Sequence, residues 1–165
     1  MRIGITATRD GLTSIQERIF LQLVLYLEIT EFEHGDAIGG DFDCHYAIIE
    51  EKILDSKNIF KRPCNILNQR AFAKGGSDLE EPIAPLERNH KIVDDVDILI
   101  GCPKGFKEEL RSGTWATIRY ANKNKKPTYI IYPDGSIFKR TSGIEIEFVI
   151  PKKETENEIT TSTTV

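Results

Sequence analysis

The chain has 165 residues, of which 39% are hydrophobic and 29% charged, a composition typical of a soluble globular protein with a single core. Its formal net charge of −4 argues against general binding of nucleic acid or of an anionic membrane, because both need a basic surface. Three widely spaced cysteines without a CxxC pair predict neither a disulfide framework nor a structural zinc site, and without a signal peptide we expect a cytoplasmic protein.

The first half of the chain predicts three strands and two helices. The first helix is the clearest, because Thr13 and Gln16 have the spacing of a capping box and apolar residues follow at helical intervals. The predicted elements are, in chain order, a buried strand over Arg2–Thr8, a helix over Thr13–Leu27, a strand ending near Phe32, a helix over Phe42–Leu54 and a strand over Asn58–Lys61.

The second half begins with a long surface loop over Asn65–Pro85, which contains Gly75-Gly76 and has little periodicity. The predicted elements after it are a helix from Pro85 to about Val96, a buried strand over Asp97–Cys102, a helix from Ser112 or Thr114 to about Asn122, a strand over Pro127–Tyr132 and an antiparallel edge strand over Ile144–Ile150. The polar residues 152–165 predict a disordered tail.

This alternation of strands and helices predicts one α/β domain over residues 1–151, with a Rossmann-like, mainly parallel central sheet of about five strands and helices on both faces. Ligands of such sheets bind beyond the carboxyl ends of the strands. The polar and glycine-rich segments of this chain follow predicted strands, so we expect them to meet at that edge.

The segment after the first predicted strand contains the first candidate ligand groups, Thr6, Thr8, Arg9 and Asp10. Hydroxyls and a guanidinium donate well to phosphate. The segment lacks a GxGxxG fingerprint, and an ordinary strand-to-helix turn with a surface arginine explains it equally well.

The glycine-rich stretch over residues 34–41 is the second candidate. Its glycines can present backbone N–H groups to an anion, and Asp36 or Asp41 can accept from ribose hydroxyls. The simpler interpretation is that both aspartates are turn and capping residues. His34, Asp36 and His45 lack a diagnostic metal-binding spacing, so we expect neither a metal nor a resident cofactor. The candidate residues of this stretch are His34, Gly35, Asp36, Gly39 and Asp41.

Two further candidates lie near predicted helix starts. Arg88 can form a forked contact with phosphate or carboxylate, although a surface salt bridge is the simpler expectation. The second group combines hydroxyls, an arginine and free N–H groups at a helix N-terminus, which favours phosphate binding over plain capping by Ser112. It consists of Arg111, Ser112, Gly113 and Thr114.

Six segments in order resemble the SLOG superfamily, which includes the Lonely Guy phosphoribohydrolases, the DNA-processing protein DprA and sensors of NAD-derived nucleotides. The resemblance is closest to small stand-alone bacterial and phage SLOG proteins and spans Met1 to Gly135. The segments are RIGITATRDGLT, HGDAIGGD, NQRAF, PLERNHKIVDDVDILIGCP, ELRSGTWATIRYA and KKPTYIIYPDG.

The resemblance implies roles for individual residues. Glu87-Arg88 matches a motif that supplies an arginine in the phosphoribohydrolases, and Pro103 with Ser112-Gly113-Thr114 resembles a split phosphate cradle. The catalytic glutamate that follows the cradle in those enzymes is replaced here, since Trp115, Ala116 and Thr117 come next. The binding groups are therefore largely present and the expected catalytic carboxylate is not.

We therefore expect a module that binds a nucleotide or a nucleotide-derived, phosphate-bearing ligand, and that forms a homodimer as related domains commonly do. The alternative is an N-glycosidic hydrolase of nucleoside monophosphates, with Arg88, Asp36 and Glu87 as candidate catalytic residues and Asp10 and Asp41 as further carboxylates. A DprA-like accessory of nucleic-acid processing is disfavoured by the acidic charge and the short chain.

Overall fold

The computed structural model describes residues 1–152, which form one continuous eight-stranded sheet with four α-helices and two short 3₁₀ helices, Ser56–Asn58 and Leu67–Gln69. The strands are β1 (Arg2–Ala7), β2 (Glu31–His34), β3 (Ile59–Lys61), β4 (Ser77–Asp78), β5 (Ile98–Cys102), β6 (Thr128–Ile131), β7 (Ile137–Thr141) and β8 (Ile144–Phe148). The helices are α1 (Ser14–Tyr26), α2 (Gly40–Glu50), α3 (Pro85–Asp95) and α4 (Gly113–Lys123).

The order across the sheet is β4-β3-β2-β1-β5-β6-β7-β8. The first six strands in chain order pair in parallel, and at one end of the sheet β7 pairs antiparallel with both β6 and β8. The predicted fold class, an α/β Rossmann-like protein with a mainly parallel sheet and helices on both faces, is confirmed.

The two helix layers are α1 with α2 on one face of the sheet and α3 with α4 on the other. Ile3 and Ile5 of β1 are buried against the α1 side, where Phe20 is also fully buried. The opposite face of β1 approaches α3 closely at Gly4, where an added Cβ would overlap the Ile92 side chain. Glycine at this position therefore allows the helix to pack directly on the central strand.

The predicted capping box at the start of α1 is confirmed. Thr13 Oγ1 accepts from the Gln16 backbone N–H at 3.1 Å, and Gln16 Oε1 accepts from the Thr13 N–H at 3.3 Å. The buried Gln16 amide also donates to the carbonyls of Pro103 at 3.1 Å and Ile131 at 2.7 Å. One side chain thus begins α1 and fixes it to the carboxyl ends of β5 and β6.

Several predicted boundaries were wrong. Helix α2 begins at Gly40 rather than Phe42 and ends at Glu50 rather than Leu54, because Lys52 adopts a positive φ of 54° that cannot continue a helix. His34 is the last residue of β2 and not part of the loop.

The predicted number of strands was also wrong, because the sheet has eight strands rather than about five. The loop predicted over Asn65–Pro85 contains the two-residue strand β4, and β7 was not predicted at all. Strand β7 has too few buried apolar residues for a clear pattern, since Ile137 alone is buried there.

The three cysteines are free and buried on different elements. Cys44 lies in α2, Cys64 follows β3, and Cys102 ends β5 beside Ala7 of β1. No helix within residues 1–152 is both long and apolar enough to cross a membrane. The predicted disordered tail falls almost entirely on residues 153–165, which lie outside the described part of the chain.

Candidate functional site

A cleft of about 570 Å³ opens at the carboxyl end of the sheet, where the strand order reverses between β1 and β5. This reversal is the usual location of ligands in open α/β sheets. The cleft brings together ten of the predicted site residues: Thr6, Thr8, Arg9, Asp10, Asp41, Arg88, Arg111, Ser112, Gly113 and Thr114.

The other predicted site residues do not line the cleft: His34, Gly35, Asp36, Gly39, Glu87 and Pro103. Glu87 is exposed on α3, although Arg88 beside it is buried. The Pro103 carbonyl accepts from the Gln16 amide and so has a structural partner.

The N-terminus of α4 forms one wall of the cleft. Ser112 caps this helix, and its Oγ accepts from the Trp115 N–H at 3.3 Å. The N–H groups of Gly113 and Thr114 have no hydrogen-bond partner within residues 1–152. Gly113 faces open space, because an added Cβ would meet no atom within 4 Å. The fold does not require this glycine, and its backbone is accessible to a ligand.

Two threonine hydroxyls add to this wall and to the floor beside it. Thr114 of α4 and Thr6 of β1 are each only 7% exposed, and both line the cleft. Neither hydroxyl has a hydrogen-bond partner in the described part of the chain. Both residues are buried, but their hydroxyl oxygens are open to the cleft, since neither is among the buried atoms that lack a partner, and both are therefore available to a ligand.

The loop after β1 supplies an arginine at the rim. Arg9 Nη2 donates to Gln69 Oε1 at 2.7 Å, so the residue 65–84 segment supports the side chain from outside the cleft. No residue of that segment lines the cleft itself. Thr8 Oγ1 accepts from the Asp10 N–H at 3.2 Å and shapes the turn that follows the strand.

Arg88 is the most buried cation of the cleft, at 5% exposure. Its Nε donates to Asn89 Oδ1 at 2.7 Å, and its Nη1 donates to the carbonyls of Gly35 and, at 3.1 Å, of Arg62. A Cβ added to Gly35 would overlap this guanidinium, which explains the glycine there. Arg88 is therefore held by Nε and Nη1, and its Nη2 has no partner within residues 1–152.

The stretch of residues 35–39 between β2 and α2, hereafter the β2–α2 loop, was predicted to present its N–H groups to an anion. Asp41 takes these donors instead, because its Oδ2 accepts from the N–H of Gly35 at 2.9 Å and of Ala37 at 3.3 Å. The Ile38 N–H donates to the Gln69 carbonyl at 3.1 Å. Burial raises the pKa of Asp41 to about 6, and the nearby charge of Arg88 and the two backbone N–H bonds oppose the shift.

Three other polar residues of this region hold the long loop onto the domain. Asp36 accepts from the Ala73 N–H at 2.9 Å and lies 3.4 Å from the Arg70 guanidinium. His34 Nε2 contacts His45 Nδ1 at 2.9 Å, and His45 Nε2 contacts the Lys74 carbonyl at 2.7 Å.

The two imidazoles are neutral in this chain of hydrogen bonds. His34 Nδ1 accepts from the Asp36 N–H at 3.0 Å, which leaves Nε2 as the donor to His45, and His45 Nε2 as the donor to Lys74. Burial lowers the pKa of both imidazoles. Each ring nitrogen is thereby engaged, and the described residues contain no group of three or more side chains suited to a metal.

The prediction missed three polar residues that line the cleft: Asn89, Lys104 and Glu109. Asn89 orients Arg88, and adjacency to Arg88 in the sequence was its only signal. Lys104 is the second residue after the buried strand β5, at the edge of the sheet where ligands of this fold bind. With it, the cleft has four cations against the carboxylates of Asp10, Asp41 and Glu109.

Comparison with known proteins supports the fold. No protein-family model matches the sequence, and no curated protein matches it. Among solved structures, the molybdenum cofactor binding protein of the phototrophic bacterium Rippkaea orientalis is similar, with a TM-score of 0.56 and 20% sequence identity. The alignment covers 79% of this chain and 76% of that protein. The chain thus has a Rossmann-like fold seen in a ligand-binding protein.

Proposed function

We propose that the cleft binds a nucleotide or a nucleotide-derived ligand, with the ligand's phosphate at the N-terminus of α4. The observation that carries this proposal is the set of free donors there: the N–H groups of Gly113 and Thr114 and the Thr114 hydroxyl, which is open to the cleft. Free N–H groups and the positive end of the helix dipole favour a bound anion. Arg111 and Lys104 contribute positive charge at the same wall.

The size of the cleft agrees with a ligand larger than free phosphate. Its volume of about 570 Å³ is within the range of small-molecule sites, roughly 300–1,000 Å³. It extends from the β2 side, with Asp41 and Arg88, across β1 to the α4 wall. Neighbouring strands are about 4.8 Å apart, so β2 and β5 flank a span of about 10 Å. A phosphate on one side leaves room for a sugar on the other.

Two further lines support a small-molecule ligand. The sequence resemblance favours membership of the SLOG superfamily, whose members bind nucleotides. The structural neighbour from Rippkaea orientalis is described as a cofactor-binding protein, and its alignment spans most of both chains. We therefore propose a SLOG-like binding module as the molecular role of this chain.

The alternative, an N-glycosidic hydrolase, depends on finding a carboxylate for the chemistry. Glu87 lies outside the cleft lining, and Asp36 is committed to Ala73 and Arg70. Asp41 is the one candidate acid that is buried in the cleft, where burial raises its pKa to about 6, a value suited to proton transfer. Release of free base from a panel of nucleoside monophosphates, abolished in Asp41→Asn, would favour the enzyme over the binding module.

The proposal is tested by identifying the ligand and then removing one donor. Mass spectrometry of small molecules released from the denatured protein identifies candidates, and calorimetry measures their affinity. Thr114→Val should weaken binding by about 1–2 kcal/mol, roughly tenfold. Thr117→Val is the matched control, because the Thr117 hydroxyl donates to the Gly113 carbonyl within the same helix at 2.8 Å. Equal affinity in both variants would move the phosphate elsewhere.

We also expect a homodimer. Helix α1 presents Leu25 and Tyr26 at 59% and 43% exposure, whereas Trp115 and Ile118 of α4 are buried. Exposed apolar residues of this kind favour α1 as the pairing surface. Light scattering at micromolar concentration should give twice the monomer mass, and Leu25→Lys should shift it toward the monomer. A monomer mass for the unchanged chain would contradict this expectation.

A further inference from the structure

The β2 side of the cleft contains a carboxylate and a guanidinium that are both buried and both incompletely paired. Asp41 and Arg88 are each 5% exposed and line the cleft on either side of Gly35. They do not form a salt bridge within 4.0 Å. The free atoms of the two side chains are not among the buried atoms that lack a partner, so both are open to the cleft, where a group of the ligand can pair with them.

The free atoms of the pair define what that group must be. Asp41 uses Oδ2 for the N–H groups of Gly35 and Ala37, and its Oδ1 has no partner within residues 1–152. Arg88 uses Nε and Nη1, and its Nη2 is unpaired in the same described part. The pair therefore offers one acceptor and one donor toward the cleft.

This combination excludes a second phosphate and fits hydroxyls. A phosphate beside the ionised Asp41 would be repelled by the like charge. A hydroxyl donates and accepts at once, and a vicinal diol gives each protein group its own partner. Ribose has such a diol at C2 and C3, whereas 2-deoxyribose retains only the C3 hydroxyl.

We propose that Asp41 and Arg88 bind the ribose diol of the ligand and make the cleft selective for ribonucleotides over 2′-deoxyribonucleotides. This inference rests on the proposed phosphate site at α4, which lines the same cleft. Asp41 accepts from one hydroxyl through Oδ1, and Arg88 donates to the other through Nη2. The Asp41 bonds to Gly35 and Ala37 keep the carboxylate in place before the ligand arrives.

The test compares ribonucleoside 5′-monophosphates of the four bases with their 2′-deoxy counterparts, by calorimetry on the full chain at pH 7.5. We expect the ribo form to bind roughly 10- to 100-fold more tightly, since a hydrogen bond to a charged group is lost in the deoxy form. Asp41→Asn should remove most of this preference, because the amide keeps one oxygen for the loop and turns an N–H₂ donor toward the sugar.

The matched control is Asp43→Asn on the same helix. Asp43 Oδ2 accepts from the Leu12 N–H at 2.9 Å and lies outside the cleft, so this variant should keep the preference. The ribo preference of the unchanged chain should also decline from pH 7.5 to pH 5, as Asp41 takes up a proton.

The outcomes separate this inference from the proposed function. Equal affinity for ribo and deoxy forms in the unchanged chain overturns the diol assignment and leaves the phosphate site intact, provided that Thr114→Val still weakens both. A preference that persists in Asp41→Asn also overturns it. If neither series binds, the proposed function fails and the diol assignment fails with it.

Discussion

The β2–α2 loop (residues 35–39) and the loop of residues 103–112, hereafter the β5–α4 loop, have the same position in the fold. Each leads from the carboxyl end of a parallel strand to a helix N-terminus, and each contains glycine or small polar residues. In the β2–α2 loop, the Asp41 carboxylate accepts the N–H groups of Gly35 and Ala37.

The β5–α4 loop is stabilised by a side-chain hydrogen-bond donor instead of an acceptor. Arg119 of α4 donates to the carbonyls of Glu109 at 3.4 Å and Leu110 at 3.1 Å. This arrangement uses carbonyl groups and leaves the N–H groups of Gly113 and Thr114 free. The carboxylate of Asp41 occupies N–H groups of the β2–α2 loop, which are then unavailable to an anion. The guanidinium of Arg119 occupies carbonyl groups of the β5–α4 loop, and the N–H groups at the start of α4 stay available to an anion.

The largest expected effect is on stability and concerns the β2–α2 loop. Asp41→Ala leaves the buried Gly35 N–H and the half-buried Ala37 N–H without a partner, and at pH 4, where the carboxyl of the folded chain is protonated, we expect the free energy of unfolding to fall by about 3 kcal/mol. Urea denaturation measures the change. Asp43→Ala is the control, because it removes one bond, to Leu12. A loss no larger than that of the control would show that Asp41 does not hold the loop.

The pH dependence of stability tests the burial of the Asp41 carboxylate. The folded-state pKa of Asp41 is about 6, above the ordinary value of 3.8, so its protonated form stabilises the fold below about pH 4 and that contribution is lost as the pH rises through 6. Relative to Asp41→Asn, the unchanged chain should lose about 3 kcal/mol of unfolding free energy between pH 4 and pH 7. Urea titrations at four pH values measure this difference. A constant difference would contradict the buried position of the carboxylate.

The free N–H groups at the start of α4 are tested by adding a methyl group at Gly113. Gly113→Ala should lower ligand affinity by about tenfold or more, because the added methyl lies where the phosphate is proposed. The melting temperature should be unchanged or slightly higher, since alanine favours a helix. Gly105→Ala is the control, because Gly105 is in the same loop, also faces open space and does not line the cleft. Unchanged affinity in Gly113→Ala would leave the α4 wall without a ligand.

The smallest expected effect distinguishes helix capping by Ser112 from a direct contact between Ser112 and the ligand. Its Oγ already accepts from the Trp115 N–H, so Ser112→Ala should lower the free energy of unfolding by about 1 kcal/mol. Affinity should change less than in Gly113→Ala. A large loss of affinity without a loss of stability would instead make the hydroxyl a direct ligand contact.

The fold was predictable where local signals agree with the packing. Thr13 and Gln16 form the expected cap, and the apolar run that ends at Cys102 forms a buried parallel strand. Strands β4 and β7 were not predictable, because two exposed residues in one and a single buried residue in the other give no periodic pattern.

The position of the cleft was predictable, and the contacts within it were less so. Because parallel strands end at one edge, the residues after β1 and β5 meet in one cleft as expected. The sequence does not reveal that Asp41 turns back onto Gly35, or that Asp36 faces Ala73 thirty-seven residues away. Such pairings depend on the tertiary path of the chain, and a glycine-rich segment has the same sequence pattern whether its donors are free or taken.

The burial of Cys102 gives the protein an intrinsic reporter of local opening. Its thiol is fully covered at the carboxyl end of β5, where its carbonyl accepts from the Thr8 N–H at 3.0 Å, and burial raises its pKa. A thiol reagent can therefore reach it only when this edge of the sheet separates. The alkylation rate of Cys102 measures how often this edge of the sheet opens, and that of Cys64, which follows β3, gives a second opening rate for another part of the same molecule.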